Sequence, residues 1–222
     1  MSIEGPALRG VLIDWGGVLT TSLGDSITHW LESDGIDAGH YRGVMRDLVL
    51  HAYEAGEDGA ENPIHALERG EVLAADFERD LAARLLTLDG VPPVAEGLLA
   101  RMFAGFRPVE EMNEMLRRAR AAGISTCLLS NSWANDYPRD GWDGLFDAVV
   151  ISGEVGMRKP EPRIFHHALG LVGLEPEQCV FIDDIEANIQ AAEALGIVGI
   201  HHRDAITTIG AMEQLFSLPF RA

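Results

Sequence analysis

Cysteine is scarce. Cys127 and Cys179 are the two in 222 residues, in the apolar stretches ISTCLL and CVFI. Neither spacing nor context offers a zinc site or a disulfide framework, so both read as buried thiols of a reducing compartment. Basic residues are scarce too: Lys and Arg total 17 against 35 acids, a formal net charge of −18. Nucleic acids and anionic membranes are held mainly through Lys and Arg, so this balance argues against both as partners. A small phosphorylated molecule remains open, because one local site can oppose the global sign. Most of the charge reads as solvated helix faces. No apolar run approaches the roughly 18 residues of a membrane span. The opening MSIEGPALRG has no basic segment followed by an apolar one. No signal peptide is visible, and a cytoplasmic location is expected. Internal repeats and low-complexity tracts are lacking. What remains is ordinary globular composition, 47% hydrophobic and 23% charged, long enough for a large domain or a core with a smaller insert.

Short apolar runs recur at Gly10 to Asp14, Ile124 to Leu129, Ala148 to Ser152, Cys179 to Asp183 and Gly196 to Ile200. Apolar residues at consecutive positions predict strands buried on both faces of a parallel sheet. Helical spacing lies between the later runs. Met112, Met115, Leu116 and Ala119 share one stripe in Glu110 to Ala122, which Gly123 ends. Ile185, Ile189, Ala192 and Leu195 share another, which Gly196 ends. The alternation predicts an α/β fold, a Rossmann-like doubly wound parallel sheet with right-handed crossovers.

The interval after the first strand is far longer than a crossover needs. It carries helical stripes at Tyr41, Val44, Met45 and Leu48 and at Phe77, Leu81 and Leu85, and Pro63 is placed to start a short helix through Leu67. AGEDGAEN, Ala55 to Asn62, is a Gly-rich acidic loop. Residues 22–104 therefore read as an inserted all-helical cap, and residues 1–21 and 105–222 as the Rossmann-like core.

Ligands of an open parallel sheet bind at the carboxyl ends of its strands. Here the first strand ends in Asp14-Trp15-Gly16-Gly17, the second in Ser130-Asn131-Ser132 and the fourth in Asp183-Asp184. Gly156-Met157-Arg158-Lys159-Pro160 follows the third. One Asp after a strand is usually a turn or helix cap; polar endings on four strands in order are hard to assign to capping. Three carboxylates, a hydroxyl, an amide and an ammonium on one edge suit metal-assisted phosphoryl transfer. Hard oxygen ligands fit Mg²⁺. Asp14 would attack phosphorus and form an aspartyl-phosphate. Lys159 and the Ser130 hydroxyl would hold phosphate oxygens, assisted by backbone N–H groups around Gly16, Gly17 and Asn131. Mg²⁺ and Lys159 would together balance the three Asp charges.

VLIDWGGVLT, CLLSNS, GMRKPEPRIF and VFIDDIEANIQAAEALGI resemble, in order and spacing, the four motifs of the haloacid dehalogenase superfamily. The helical insert lies where this family places a cap. Asp183-Asp184 and the Arg-Lys-Pro-Glu-Pro run resemble the branch of the epoxide-hydrolase N-terminal phosphatase domain and bacterial sugar-phosphate phosphatases. The resemblance implies Asp14 as nucleophile, Asp14 and Asp184 as Mg²⁺ ligands and Asp183 as a ligand or a support behind them. It also implies a metal contact from the Gly16 carbonyl, and a water-linking role for Asn188 as an alternative to a solvated helix position.

One position departs from the family pattern. Its active phosphatases usually carry a second Asp two residues after the nucleophile, as acid and then base; here that residue is Gly16. Such a group contributes about 10²–10⁴-fold, although some sugar-phosphate phosphatases of the branch also have Gly there. The expected function is Mg²⁺-dependent hydrolysis of a phosphomonoester of a small cytosolic metabolite. Two alternatives stand beside it. One is metal-free carbon–halogen hydrolysis at Asp14, which the clustered Asp183-Asp184 disfavours. The other is a non-catalytic phosphate-ligand or partner-binding regulator. His166-His167 and His201-His202 read as structural or surface positions, since adjacent side chains diverge. His29 and Trp30 read mainly as cap packing, with substrate contact as the alternative. Trp15 reads either as a core anchor or as a wall of the site, Trp133 and Trp142 as loop residues near the strand ends, and Arg158 as a surface position, with a second phosphate ligand as the alternative.

Overall fold

The computed structural model describes residues 7–54, 62–134 and 137–221, the side chains of 49–54 excepted. The Gly-rich loop from Ala55 lies outside the described residues up to Asn62, as do the first six residues.

Five parallel strands form the sheet: β1 (Gly10–Ile13), β2 (Ser125–Ser130), β3 (Ala148–Ile151), β4 (Cys179–Asp183) and β5 (Val198–His201), in the order β3-β2-β1-β4-β5. β1 and β4 are wholly buried, as their unbroken apolar sequences require of strands covered on both faces. Val11 and Ile13 point to one face, against Met112, Met115 and Leu116 of α6 (Glu110–Ala121) and Met212 of α10 (Ala205–Phe216). Leu12 points to the other, against Ile164 and Phe165 of α8 (Pro162–Val172) and Ile189 of α9 (Glu186–Ala194). The doubly wound sheet is therefore as the sequence predicts. The edges differ slightly. Ser130 belongs to β2, and Ser152 opens a one-turn helix, α7 (Ser152–Val155), rather than closing β3. Gly196 turns at φ +93° before β5 begins.

Between β1 and α6 come α1 (Leu23–Ser33), α2 (Ala38–Glu54), α3 (Pro63–Glu68), α4 (Ala74–Arg84) and α5 (Leu98–Phe103). They bury a cluster of their own around Trp30, Leu67, Leu85, Leu98 and Met102. Side-chain caps set their ends. Ser22 accepts from the Asp25 N–H at the start of α1, and Asn62 accepts from the Ile64 N–H at 2.9 Å while donating to the Leu48 carbonyl of α2. Such caps contribute about 1 kcal/mol each. No helix among the described residues is long and apolar enough to cross a membrane.

Cys127 and Cys179 lie on the strands that flank β1, paired with Leu12 and Gly10 respectively. Two strand spacings are about 9.6 Å, beyond the roughly 7 Å that a disulfide spans between Cα atoms. Burial pushes both thiols up to about 12. Native protein should therefore resist a thiol reagent, and protein denatured without reductant should titrate two free thiols. A fast native reaction, or no thiol after denaturation, contradicts this strand placement.

Candidate active site

The carboxyl ends of β1 and β4 meet at the centre of the sheet, where the chain leaves β1 toward β2 and leaves β4 toward β5. That divergence opens a crevice. The Asp14 N–H continues the ladder by donating to the Ile182 carbonyl at 2.9 Å. Its side chain thus stands level with Asp183, the last residue of β4, and with Asp184 just beyond. One oxygen from each of the three carboxylates lies within 4.8 Å of the others. Lys159, the only lysine in the chain and 1% exposed, reaches in from the segment after α7. Its Nζ lies 2.8 Å from Asp14 Oδ1 and 2.7 Å from Asp183 Oδ2.

The neighbours hold this arrangement by hydrogen bonds. Asn131 brackets the lysine backbone. Its Oδ1 accepts from the Lys159 N–H at 2.8 Å and its Nδ2 donates to the Lys159 carbonyl at 3.0 Å. Asn188 is buried rather than solvated, and its Nδ2 donates to both oxygens of Asp183 at 3.1 Å. With the Ile185 N–H at 2.8 Å, Asp183 is fully engaged and wholly buried. Ser130 shares a 2.9 Å hydrogen bond with Tyr137, a residue that sequence reasoning passes over because it lies in an irregular loop. The two glycines after Trp15 differ. Gly17 has φ +76°, and a Cβ there would collide with Asp184 Oδ2, so it must be glycine. Gly16 has no such constraint: a Cβ would meet only the Phe106 ring, at 3.7 Å.

Burial dominates the electrostatics. It pushes Asp14 up to about 7, with Asp183 and Asp184 adding repulsion and Lys159 opposing. Asp184 is raised for the same reasons, burial first and then Asp183. Burial also works against the Lys159 ammonium, but Asp14 and Asp183 outweigh it and hold its pKa above the ordinary value. The site is a buried cation between two acids, with a third acid facing open space.

That space is a cavity of about 480 Å³ between the strand ends and the helices α1, α2, α3 and α5. Asp14, Gly16, Ser130, Asn131, Lys159, Asp184 and Asn188 line one end. The helical insert is tied down beside it. Glu68 of α3 accepts from Trp133 Nε1 at 3.0 Å and pairs with Arg158, and Arg69 pairs with Glu161 at 3.3 Å. Arg158 is thus a half-buried partner of the insert, not the surface position the sequence suggests. Trp15 proves to be both wall and anchor: it lines the cavity and packs on Tyr137 and Trp142. Trp133 lines the cavity; Trp142 is in the core. Trp30 is buried among the insert helices, and His29 is exposed. His201 Nε2 bonds the Asp184 carbonyl at 3.0 Å and His202 bonds Thr208, while His166 is exposed.

A haloacid dehalogenase-like hydrolase family model matches residues 8–196. The sesquiterpene phosphatase astK of Aspergillus oryzae is 30% identical over 154 residues, 67% of this chain and 76% of its own. Bifunctional epoxide hydrolase 2 of Rattus norvegicus is 26% identical over 232 residues, 96% of this chain but only 40% of its own length. Among solved structures, a haloacid dehalogenase family enzyme of Bacteroides thetaiotaomicron, in a complex with magnesium and inorganic phosphate, superposes with a TM-score of 0.62. It is 22% identical, with 89% of this chain and 95% of that one covered. Strand order, site position and a family match over most of its length agree that the chain belongs to the haloacid dehalogenase-like hydrolases.

Proposed function

We propose that this hydrolase is a Mg²⁺-dependent phosphomonoesterase that works through an aspartyl-phosphate on Asp14, with residues 22–104 as a cap over a core of 1–21 and 105–222. The observation that carries this reading is Asp14, paired with the buried Lys159 at one end of the cavity and with an oxygen of Asp184 within 4.8 Å of its own. Phosphatases among the relatives support it. Their names range from a sesquiterpene phosphatase to a phosphoserine phosphatase, so they agree on the bond and not on the substrate.

The donor set fits magnesium. Asp14, Asp184 and the Gly16 carbonyl offer hard oxygens beside the cavity, and burial has already made ionised Asp14 costly without a cation. Asp183, whose oxygens accept from Lys159, Asn188 and Ile185, supports them from behind or completes the set. When bound, the ion supplies positive charge that offsets the repulsion between carboxylate and phosphate. The chain's own residues do the rest. Lys159, fixed by Asn131, opposes the effect of burial on Asp14, aims its carboxylate, and offers its ammonium to a phosphate oxygen. Ser130 turns its hydroxyl from Tyr137 to another, and the N–H groups around Gly16, Gly17 and Asn131 receive the remainder. An Asp14 oxygen bonds to phosphorus as the ester oxygen leaves with its electron pair. Water then attacks that phosphorus, returning the carboxylate and releasing phosphate. The closed cap excludes bulk water in the first step.

Asp14→Asn should abolish phosphate release and keep the fold, because the change is isosteric. Turnover within a few-fold of wild type, beside an unchanged melting curve, would sink the covalent route.

Magnesium should raise the melting temperature, and Asp184→Ala should remove most of the rise. The pH dependence has a definite sign. Folded Asp14 titrates near 7 against 3.8 for the free group, so the folded state holds its proton more tightly. In chelator, that contribution to stability is present below pH 3.8 and is lost as pH rises to about 7. The melting difference between magnesium and chelator should therefore widen over that interval. A difference independent of pH would contradict the assignment.

Gly16 supplies no proton to the departing oxygen, so turnover should depend steeply on leaving-group pKa, with aryl, anomeric and acyl phosphates ahead of primary alkyl ones. Aspartyl-phosphate should accumulate on the favoured substrates. Because Gly16 has ordinary φ and open space at its Cβ, Gly16→Asp should fold, flatten the series and raise alkyl phosphate turnover by about 10²-fold. A steep series unchanged in the variant speaks against the missing acid. No turnover and no trapped phospho-Asp14 on any member favours the regulator reading, in which the site binds phosphate without hydrolysing it.

A further inference from the structure

The cavity extends beyond anything a phosphate needs. From the walls of that remainder we infer that the substrate's organic part is an apolar aryl or long-chain acyl group of about ten carbons, and not a sugar. This rests on the phosphatase reading above and names its substrate class.

The two ends of the cavity are chemically opposite. Away from the strand ends, its walls are mostly apolar, with Ile27 of α1, Met45 of α2, Ile64 of α3, Met102 and Phe103 of α5, and Phe106 beyond it, interrupted by Tyr41, His65 and Glu68. Phe103 stacks on Phe106 with centroids 5.6 Å apart and meets the edge of Trp133 at 6.2 Å. The charged groups among these walls answer one another. Glu68 takes the Trp133 N–H on Oε1 and Arg158 on Oε2. At the phosphate end, Asn131 spends both ends of its amide on the Lys159 backbone, and Ser130 and Tyr137 bond each other. The His65 ring is uncharged at neutral pH, because burial and the nearby Arg158 and Arg69 push its pKa down to about 4. A polyol in this chamber would leave hydroxyls desolvated against hydrocarbon. An apolar group gains by being there. Volume sets the size: at about 30 Å³ per water-sized group, the 480 Å³ of the cavity holds a phosphate and on the order of ten carbons.

The test separates this inference from the reaction that it rests on. Alkylphosphonates from methyl to dodecyl cannot be hydrolysed, so binding to the full chain with Mg²⁺, measured by calorimetry, is independent of turnover. Inorganic phosphate and glucose 6-phosphate bound to the Asp14→Asn protein are the references. The Kd should fall about two- to four-fold per methylene and level off near ten carbons. The sugar phosphate should bind no better than inorganic phosphate. Ile27→Gln, at a half-buried wall position, should weaken octylphosphonate about ten-fold more than it weakens inorganic phosphate, and Phe106→Gln should repeat the result on a different segment. Among 4-alkylphenyl phosphates, whose leaving-group pKa is nearly constant, KM should fall with chain length while kcat holds. Phosphate binding with a flat chain-length series, or tighter binding of the sugar phosphate, overturns the apolar chamber and leaves the phosphatase reading intact. No binding of phosphate or of any phosphonate overturns both.

Discussion

A single ammonium in the interior holds the site together. Lys159 is 1% exposed, and Asp14 and Asp183 flank it at hydrogen-bond distance. None of the three would be tolerated alone at that depth. Together they form a compact ionic group around one cation, and removing that cation, which leaves two buried carboxylates uncompensated, typically costs about 3–5 kcal/mol. The neighbouring structure follows from keeping this group in place. β1 and β4 must be adjacent to bring the two acids level, and Asn131 and Asn188 are consumed in orienting the lysine and Asp183. The segment after α7 must return to the strand ends to deliver the cation.

Much of this was legible before any coordinates. Unbroken apolar runs mark strands covered on both faces, and here they place all five strands to within about two residues. Polar residues just past those runs mark the functional edge, because a parallel sheet offers its carboxyl ends to ligands. Asp14, Ser130, Asn131, Lys159, Asp183 and Asp184 all meet there. What stayed hidden depends on pairs distant in the chain. Arg158 looks like a surface residue until Glu68, ninety positions earlier, is seen beside it. Tyr137 sits in a loop with no periodicity, and only the fold brings it to Ser130. Asn188 shows a helical position but not its burial. The apolar chamber is the least legible feature of all, because five short segments each contribute one or two ordinary hydrophobic residues.

Two adjacent glycines show the same division between local and global constraint. Gly17 is demanded by backbone conformation and by the close approach of Asp184, and any side chain there disrupts the acid cluster. Gly16 faces space, so its lack of a side chain reflects no steric need of this fold. Identical residues, side by side, therefore differ in kind: one is required by geometry, and the other bears only on chemistry.

The strap between α3 and the sheet edge has an optical consequence. Of the four tryptophans, Trp15 and Trp142 pack within the core and Trp30 within the helical insert. Trp133 alone straddles the two, its indole N–H on Glu68 and its ring edge-on to Phe77 and Phe103. Any hinge motion that lifts the insert takes away its carboxylate partner and its aromatic neighbours at once. The protein thus carries an intrinsic fluorophore at the seam, whose emission registers the distance between its two parts without an added label.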